Sequence, residues 1–398
     1  MPAKNPPPHR AHGHRRPKRR QPALVISLVV VAALLVAGVS TAVIRLTATT
    51  ADASPTASPT GSSATAAQAT AESKVPLTVV STTPAAGATA VASDSTITVT
   101  TSIPLAATTP MPTLSPPVAG TWQRMTPTTL VFEPTSPFVP STTETVTIPS
   151  GPTGLQSAKG KTLAAPSTVN FSIAAGSTLR LQQLLAQQGY LPVSFTSTAP
   201  LSSPQEMAQP QQGAFAWRWA MPASLESLWT QGTDNVITHG AVMAFQAQNG
   251  LGTDGVAGPQ VWQKLLQNAA AGTVTQAAYN YVYVSQALPE TTSVYSNGAL
   301  VYTTPANTGV PAAATAQGTF PVYLRYTSTT MSGTNPDGSH YSDPGIPWVS
   351  YFNGGDALHG FDRASYGTPQ SDGCVEMPPA NAAVVYPLTP IGTLVTVV

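Results

Sequence analysis

Four patterns of apolar and polar positions succeed one another along the chain. From Ala23 to Ile44 the run ALVISLVVVAALLVAGVSTAVI carries no charge over 22 residues, close to the roughly 20 a helix needs to cross a bilayer core. It predicts a transmembrane helix over 23–44. Between Val75 and about Ala175 short alternating runs, Thr96 to Thr100, Leu130 to Phe132 and Thr145 to Ile148, are separated by Pro, Gly and Ser clusters. Alternation with frequent turns predicts an antiparallel β-sandwich over 75–175. Near Ser177 the period becomes helical: Leu179, Leu181, Leu184 and Leu185 end at Gly189, Val242, Met243 and Phe245 at Asn249-Gly250, and a third helix starts at Gly258-Pro259 and buries Val261, Trp262, Leu265 and Leu266. These predict a small three-helix module over 177–270. From about Ala278 strands return, at Tyr279 to Val284, Thr292 to Tyr295, Ala299 to Thr303, Pro321 to Tyr326 and Thr393 to Val398, so 278–398 is expected to be mainly β.

The chain is 398 residues long and only 8% charged, against roughly 25% in an average soluble protein, which argues against a nucleic-acid binder with its dense basic face. Seven of the 17 basic residues fall in the first 20 positions. By the positive-inside rule they predict a cytoplasmic tail over 1–22 and an extracytoplasmic body beyond Arg45. A cleaved signal peptide is the competing reading, although its apolar region is usually about 7–15 residues. Beyond Ile44 there are 10 basic and 16 acidic residues. Leu46 to Lys74 is almost wholly Ala, Thr, Ser, Pro and Gly, too poor in apolar side chains to repay the entropy of ordering, and is expected to be a disordered linker. His9, His12 and His14 sit in the Pro/Arg-rich tail; His239 and His340 have no ligand-spaced partners, so no metal site and no cofactor is expected.

Cys374 is the one cysteine in the chain, which excludes an internal disulfide. It lies in Ser371-Asp372-Gly373-Cys374-Val375-Glu376-Met377, eleven residues after His359-Gly360. A histidine takes the proton of such a thiol, and successive backbone N–H groups at a small-residue turn face a developing oxyanion. The bland alternative is a buried cysteine that merely fills space.

Further features accompany it: Gly298 to Val301, Thr308-Gly309, Gly318-Thr319-Phe320, Pro347 to Phe352 leading to Ala357-Leu358-His359, and Tyr366-Gly367. With these, the C-terminal segment resembles the YkuD family of L,D-transpeptidases. Leu181 to Leu185, Gly189-Tyr190, Ala241 to Gln246 and Asp254 to Gly258 resemble a peptidoglycan-binding domain, with a longer middle section, Pro192 to Thr233, that holds Trp217, Trp219 and Trp229. Those tryptophans either stack on sugar rings or cover a small core. Ser81 to Ala88, Gly120-Thr121-Trp122 and Thr129 to Pro134 resemble bacterial Ig-like domains.

The resemblance implies a cell-wall enzyme in which Cys374 attacks the diaminopimelate to D-Ala bond of a peptidoglycan tetrapeptide stem. His359 is then the proton acceptor and donor, the Gly360 carbonyl orients its ring, and Gly373, with Cys374, forms the oxyanion hole beside Ser371. Asp372 stands where many members have histidine, either at the oxyanion hole or paired with His359. Glu376 stands where the family often has arginine, which puts recognition of a stem carboxylate in doubt. Met331 to Pro347 matches a lid over the donor cleft, so Met331, Tyr341 and Trp348 are expected to touch substrate, with His340 either lining the cleft or on a plain loop. The resemblance implies stem peptides as acyl donor and amine acceptor. The rivals are an L,D-carboxypeptidase, with water as acceptor, and a non-catalytic wall-binding scaffold.

Overall fold

The computed structural model describes residues 74–398. The predicted tail, transmembrane helix and all but the last residue of the linker lie outside the described residues. Among those described, no helix is long and apolar enough to cross a membrane.

In the first module the alternation seen in the sequence becomes seven strands, β1 (Val79–Thr83), β2 (Ile97–Thr101), β3 (Thr113–Ser115), β4 (Gly120–Thr126), β5 (Thr129–Pro134), β6 (Thr143–Ile148) and β7 (Ser167–Ser172). They form two sheets, ordered β1-β2-β5-β4 and β3-β6-β7. Every second residue points inward, so that Ile97, Val99, Leu130 and Phe132 of one sheet share a core with Val146, Ile148, Val169 and Phe171 of the other.

The second module starts with α1 (Thr178–Gln187), whose first turn is capped by Ser177 accepting from the Arg180 N–H at 3.1 Å. The long middle section is ordered. It contains the hairpin of β8 (Val193–Ser197) and β9 (Gly213–Trp217) and the short α2 (Ala223–Glu226). Asn235 caps α3 (Val236–Gln248) and Pro259 opens α4 (Pro259–Ala271), which stops at Gly272 with φ +65°, the left-handed conformation that glycine adopts without strain. Trp262, Leu184, Leu185, Phe245 and Leu265 form the core. Trp217 and Trp229 pack against that core, and Trp219 stacks on Tyr279 with centroids 6.4 Å apart. The three tryptophans therefore cover the helical module and its junction with the C-terminal one. His239 lies half-buried over Gly255, near the start of α3.

The C-terminal module holds β10 (Asn280–Ser285), β11 (Thr291–Ser296), β12 (Ala299–Pro305), β13 (Gly318–Pro321), β14 (Leu324–Thr334), β15 (His340–Asn353), β16 (Asp356–Gly360), β17 (Val375–Met377), α5 (Pro379–Val385) and β18 (Leu394–Val397). One sheet runs β12-β11-β10-β18-β13 and the other β14-β15-β16-β17. Val282, Val294, Phe352, Leu358, Val375 and Val395 fill the space between them. The strand expected over Pro321 to Tyr326 is broken between β13 and β14. The Gly/Pro-rich segment 331–347, matched in the sequence to a lid, is mostly paired strand: β14 and β15 form a long hairpin, from Leu324↔Tyr351 to Thr334↔His340, with a register shift between Thr329 and Met331. Its Thr, Ser and Tyr residues suit a strand with a wet face, and pairing satisfies the backbone groups that a loop would leave to water.

The second and third modules are continuous. Tyr281 of β10 and Leu394 of β18 belong to the core of the helical module. A Cβ on Gly240 of α3 would come within 2.7 Å of the Gly392 carbonyl oxygen, so backbone meets backbone there.

Candidate active site

The site is assembled by the one parallel pairing of the second catalytic sheet. β16 and β17 run side by side with Leu358↔Val375 and His359↔Glu376 in register, which brings Cys374, just before β17, to the strand carrying His359. Both line a cavity of about 290 Å³ together with Met331, Tyr341, Ser371 and Asp372. Of the substrate contacts expected from the sequence, Met331 and Tyr341 are on its wall. Trp348 is not. Its ring packs on Tyr386 with centroids 5.6 Å apart and against the core between the sheets. His340 is exposed and bonds Thr334 across the hairpin at 3.1 Å.

The turn that carries the thiol is fixed from beneath. Ser371 Oγ donates to the Cys374 carbonyl at 2.6 Å, and Ser371 N–H donates to the Thr308 carbonyl at 3.0 Å. Thr308 is itself held twice by the buried Glu290 carboxylate, through its N–H at 2.6 Å and its hydroxyl at 2.8 Å. Gly373 adopts φ +110°, and a Cβ there would lie 2.6 Å from Asp356 Oδ1. Both the backbone conformation and the neighbouring carboxylate therefore demand glycine.

His359 is 3% exposed. Its Nδ1 lies 3.0 Å from the Gly360 carbonyl oxygen. A carbonyl only accepts, so Nδ1 carries the proton and Nε2 is left with a lone pair, the tautomer that a general base requires. Asp372 is exposed and is not the ring's partner. Burial pulls the imidazole below the ordinary histidine range, opposed by the Gly360 bond and the nearby Glu376 charge. The thiol is pushed the other way. Burial raises Cys374 to about 12; a hydrogen bond from the Ala357 backbone opposes this, and the Asp356, Glu376 and Asp372 charges add to it. Its own hydrogen bond goes to the Gly355 carbonyl at 3.7 Å. The resting pair is thus a neutral thiol and a neutral imidazole, which suits proton transfer during attack rather than a preformed ion pair.

Arg363 and Asp356 were not singled out in the sequence. Arg363 follows β16 and grips Glu376 side-on, Nε to Oε2 at 2.7 Å and Nη2 to Oε1 at 2.8 Å. The sequence held only an unexpected acid at 376; nothing local pointed to its partner.

Residues 279–397 match the family model of the L,D-transpeptidase (YkuD) catalytic domain. The chain carries an L,D-transpeptidase catalytic domain. It is an enzyme of that type, an acyltransferase of the cell wall. Residues 73–173 match the bacterial Ig-like domain and 230–265 the peptidoglycan binding domain. These domains imply an extracytoplasmic location. Among solved structures, an L,D-transpeptidase from Mycobacterium smegmatis is 14% identical over 81% of this chain and 100% of its own, with a TM-score of 0.28. L,D-transpeptidase 3 from Mycobacterium tuberculosis, with a faropenem-derived adduct, is 12% identical over 80% and 97%, TM-score 0.28. The catalytic domain from E. faecium L,D-transpeptidase is 25% identical over 31% and 100%, also at 0.28. No curated protein matches the chain.

Proposed function

We propose that Cys374 is the nucleophile of a two-step acyl transfer on peptidoglycan stems. The observation that carries this reading is the placing of Cys374 and His359 in one cavity by β16 and β17, with the Nδ1 proton of His359 committed to Gly360. In the first step Sγ attacks the carbonyl of the diaminopimelate to D-Ala bond as His359 Nε2 takes the thiol proton. Backbone N–H groups of Gly373 and Cys374 hold the oxyanion. The C–N bond then breaks, His359 returns the proton to the departing amine, and D-Ala leaves. In the second step an amine of another stem attacks the thioester, gives its proton to His359 and displaces Sγ, which is reprotonated. One amide is exchanged for another, so no external energy source is required. Ser371 positions the turn. Asp372 stands beside it, exposed and lining the cavity, and Tyr341 and Met331 contact the donor stem.

The body works outside the membrane, held by the apolar segment 23–44 behind its basic tail and spaced from it by the linker. A linker of roughly 29 residues with this Ala, Thr, Ser, Pro and Gly composition would span about 30 Å r.m.s. as a random chain. The peptidoglycan-binding module holds the enzyme on its polymer.

The test is to incubate the full chain with disaccharide-tetrapeptides and follow products by mass spectrometry, with Cys374→Ser as control. Cross-linked dimers that have lost D-Ala support the reading. Tripeptides alone assign the acceptor to water, and the absence of any Cys374-dependent product overturns it.

A further inference from the structure

The cavity beside Cys374 has a charge pattern that the acyl-transfer chemistry does not use. Among the described residues, three carboxylates line it, Asp343, Asp372 and Glu376, against a single guanidinium, Arg363. The Arg363 side chain is 31% exposed and that of Glu376 only 6%. Glu376 takes the side-on edge of the guanidinium. The Gln370 carbonyl accepts from Nη2 at 3.2 Å, and the Phe361 ring lies under the guanidinium carbon at 4.6 Å. Nη1 makes no hydrogen bond among the described residues, so its two N–H groups are the unspent donors of a cation fixed on three sides.

Such a fixed guanidinium binds a carboxylate with little further ordering. Glu376 cancels its net charge but leaves its donor direction intact. The rest of the lining differs: Asp372 is an exposed carboxylate and Asp343 a half-buried one, and no second Lys or Arg stands among the described lining residues. The cavity thus carries both N–H donors for an anion and carboxylates for a cation.

We propose that Arg363 is a specificity-determining residue: Nη1 takes the side-chain carboxylate of the diamino acid that carries the scissile carbonyl, while Asp372 or Asp343 takes the adjoining ammonium. The ligand class is a zwitterionic α-amino-acid terminus. Glu376 is the positioning residue that holds Arg363. This rests on the donor stem proposed above and names the part of it the cavity reads.

The test compares kcat/KM of the full chain for two tetrapeptide donors that differ only at the third residue: diaminopimelate, which has the carboxylate, and lysine, which does not. Loss of one charge-assisted hydrogen bond at a half-open site predicts a preference of about tenfold for the diaminopimelate stem. Arg363→Lys keeps a cation beside Glu376 but loses the Nη1 donors, and is expected to bring the ratio near one chiefly by raising KM for the diaminopimelate stem. A purely structural role would lower both substrates together and leave the ratio unchanged. The idea is overturned if the wild-type ratio is already near one, or if Arg363→Lys preserves it. A failure of the donor reading itself looks different, since neither stem then gives a Cys374-dependent product.

Discussion

The resting state of the thiol is open to direct measurement. An ordinary cysteine at 9.0 is here raised to about 12, a shift worth about 4 kcal/mol at roughly 1.4 kcal/mol per unit. At pH 7 about one Cys374 in 10⁵ is thiolate, against one in 10² for the unfolded chain, so alkylation is expected to be about 10³-fold slower in the folded protein. The assay is the rate of iodoacetamide addition, read by intact mass from pH 6 to 10, with the denatured chain as reference. The folded rate should climb about tenfold per pH unit across the whole range, whereas the denatured chain levels off near 9. Linkage gives the same sign for stability. The contribution is fully present below pH 9 and is lost as pH rises from 9 toward 12. Substrate turnover adds a second limb. Because burial lowers His359, its base form persists below pH 6.5, and the acid limb of kcat/KM should lie under that value. An alkylation plateau reached below pH 7 would refute the reasoning, since it would mean a preformed thiolate and imidazolium.

Three further outcomes are expected. Gly373→Ala, strained at φ +110° and 2.6 Å from Asp356 Oδ1, should cost about 1–3 kcal/mol in urea unfolding and lower acylation by about 100-fold through displacement of the thiol. Asp372→His removes one of the charges that raise the thiol and should keep or raise the rate of iodoacetamide addition near pH 7, by about two- to fivefold for an exposed charge; a large loss would show that Asp372 has a positive role. Glu144, 1% exposed with Oε2 unpartnered, has its carboxyl raised by burial, so its contribution to stability falls as pH rises. Glu144→Gln should therefore stabilise by about 1 kcal/mol at pH 7 and make no difference near pH 3, as thermal melts at the two pH values would show.

What the sequence revealed was what lies close together along it. Cys374 and His359 are 15 positions apart within one motif, and the three longer helices between 178 and 271 announce themselves by period and end signals, whereas the short helix at Ala223–Glu226 and the β8–β9 hairpin do not. The supports of the site are long-range and carry no local signal. Glu290 reaches Thr308, Asp356 lies against Gly373, and Arg363 answers Glu376 across a loop. The β14–β15 hairpin was hidden by Pro344, Pro347 and several glycines, because propensity describes a lone segment and not one already paired along its length. Trp348 looked like a substrate contact from its place in the motif, but its φ of +59° comes with a ring packed on Tyr386, a direction that only the fold decides.

The shared core of the helical and catalytic modules has a mechanical consequence. With Tyr281 and Leu394 buried among the helices, and Gly240 touching the turn at Gly392, the two modules have no hinge of their own. Whatever polymer the helical module grips therefore sets the angle at which the cleft faces the wall as well as where the enzyme sits. The two modules turn as one body, and any polymer bound by the first constrains the approach of a stem to the second.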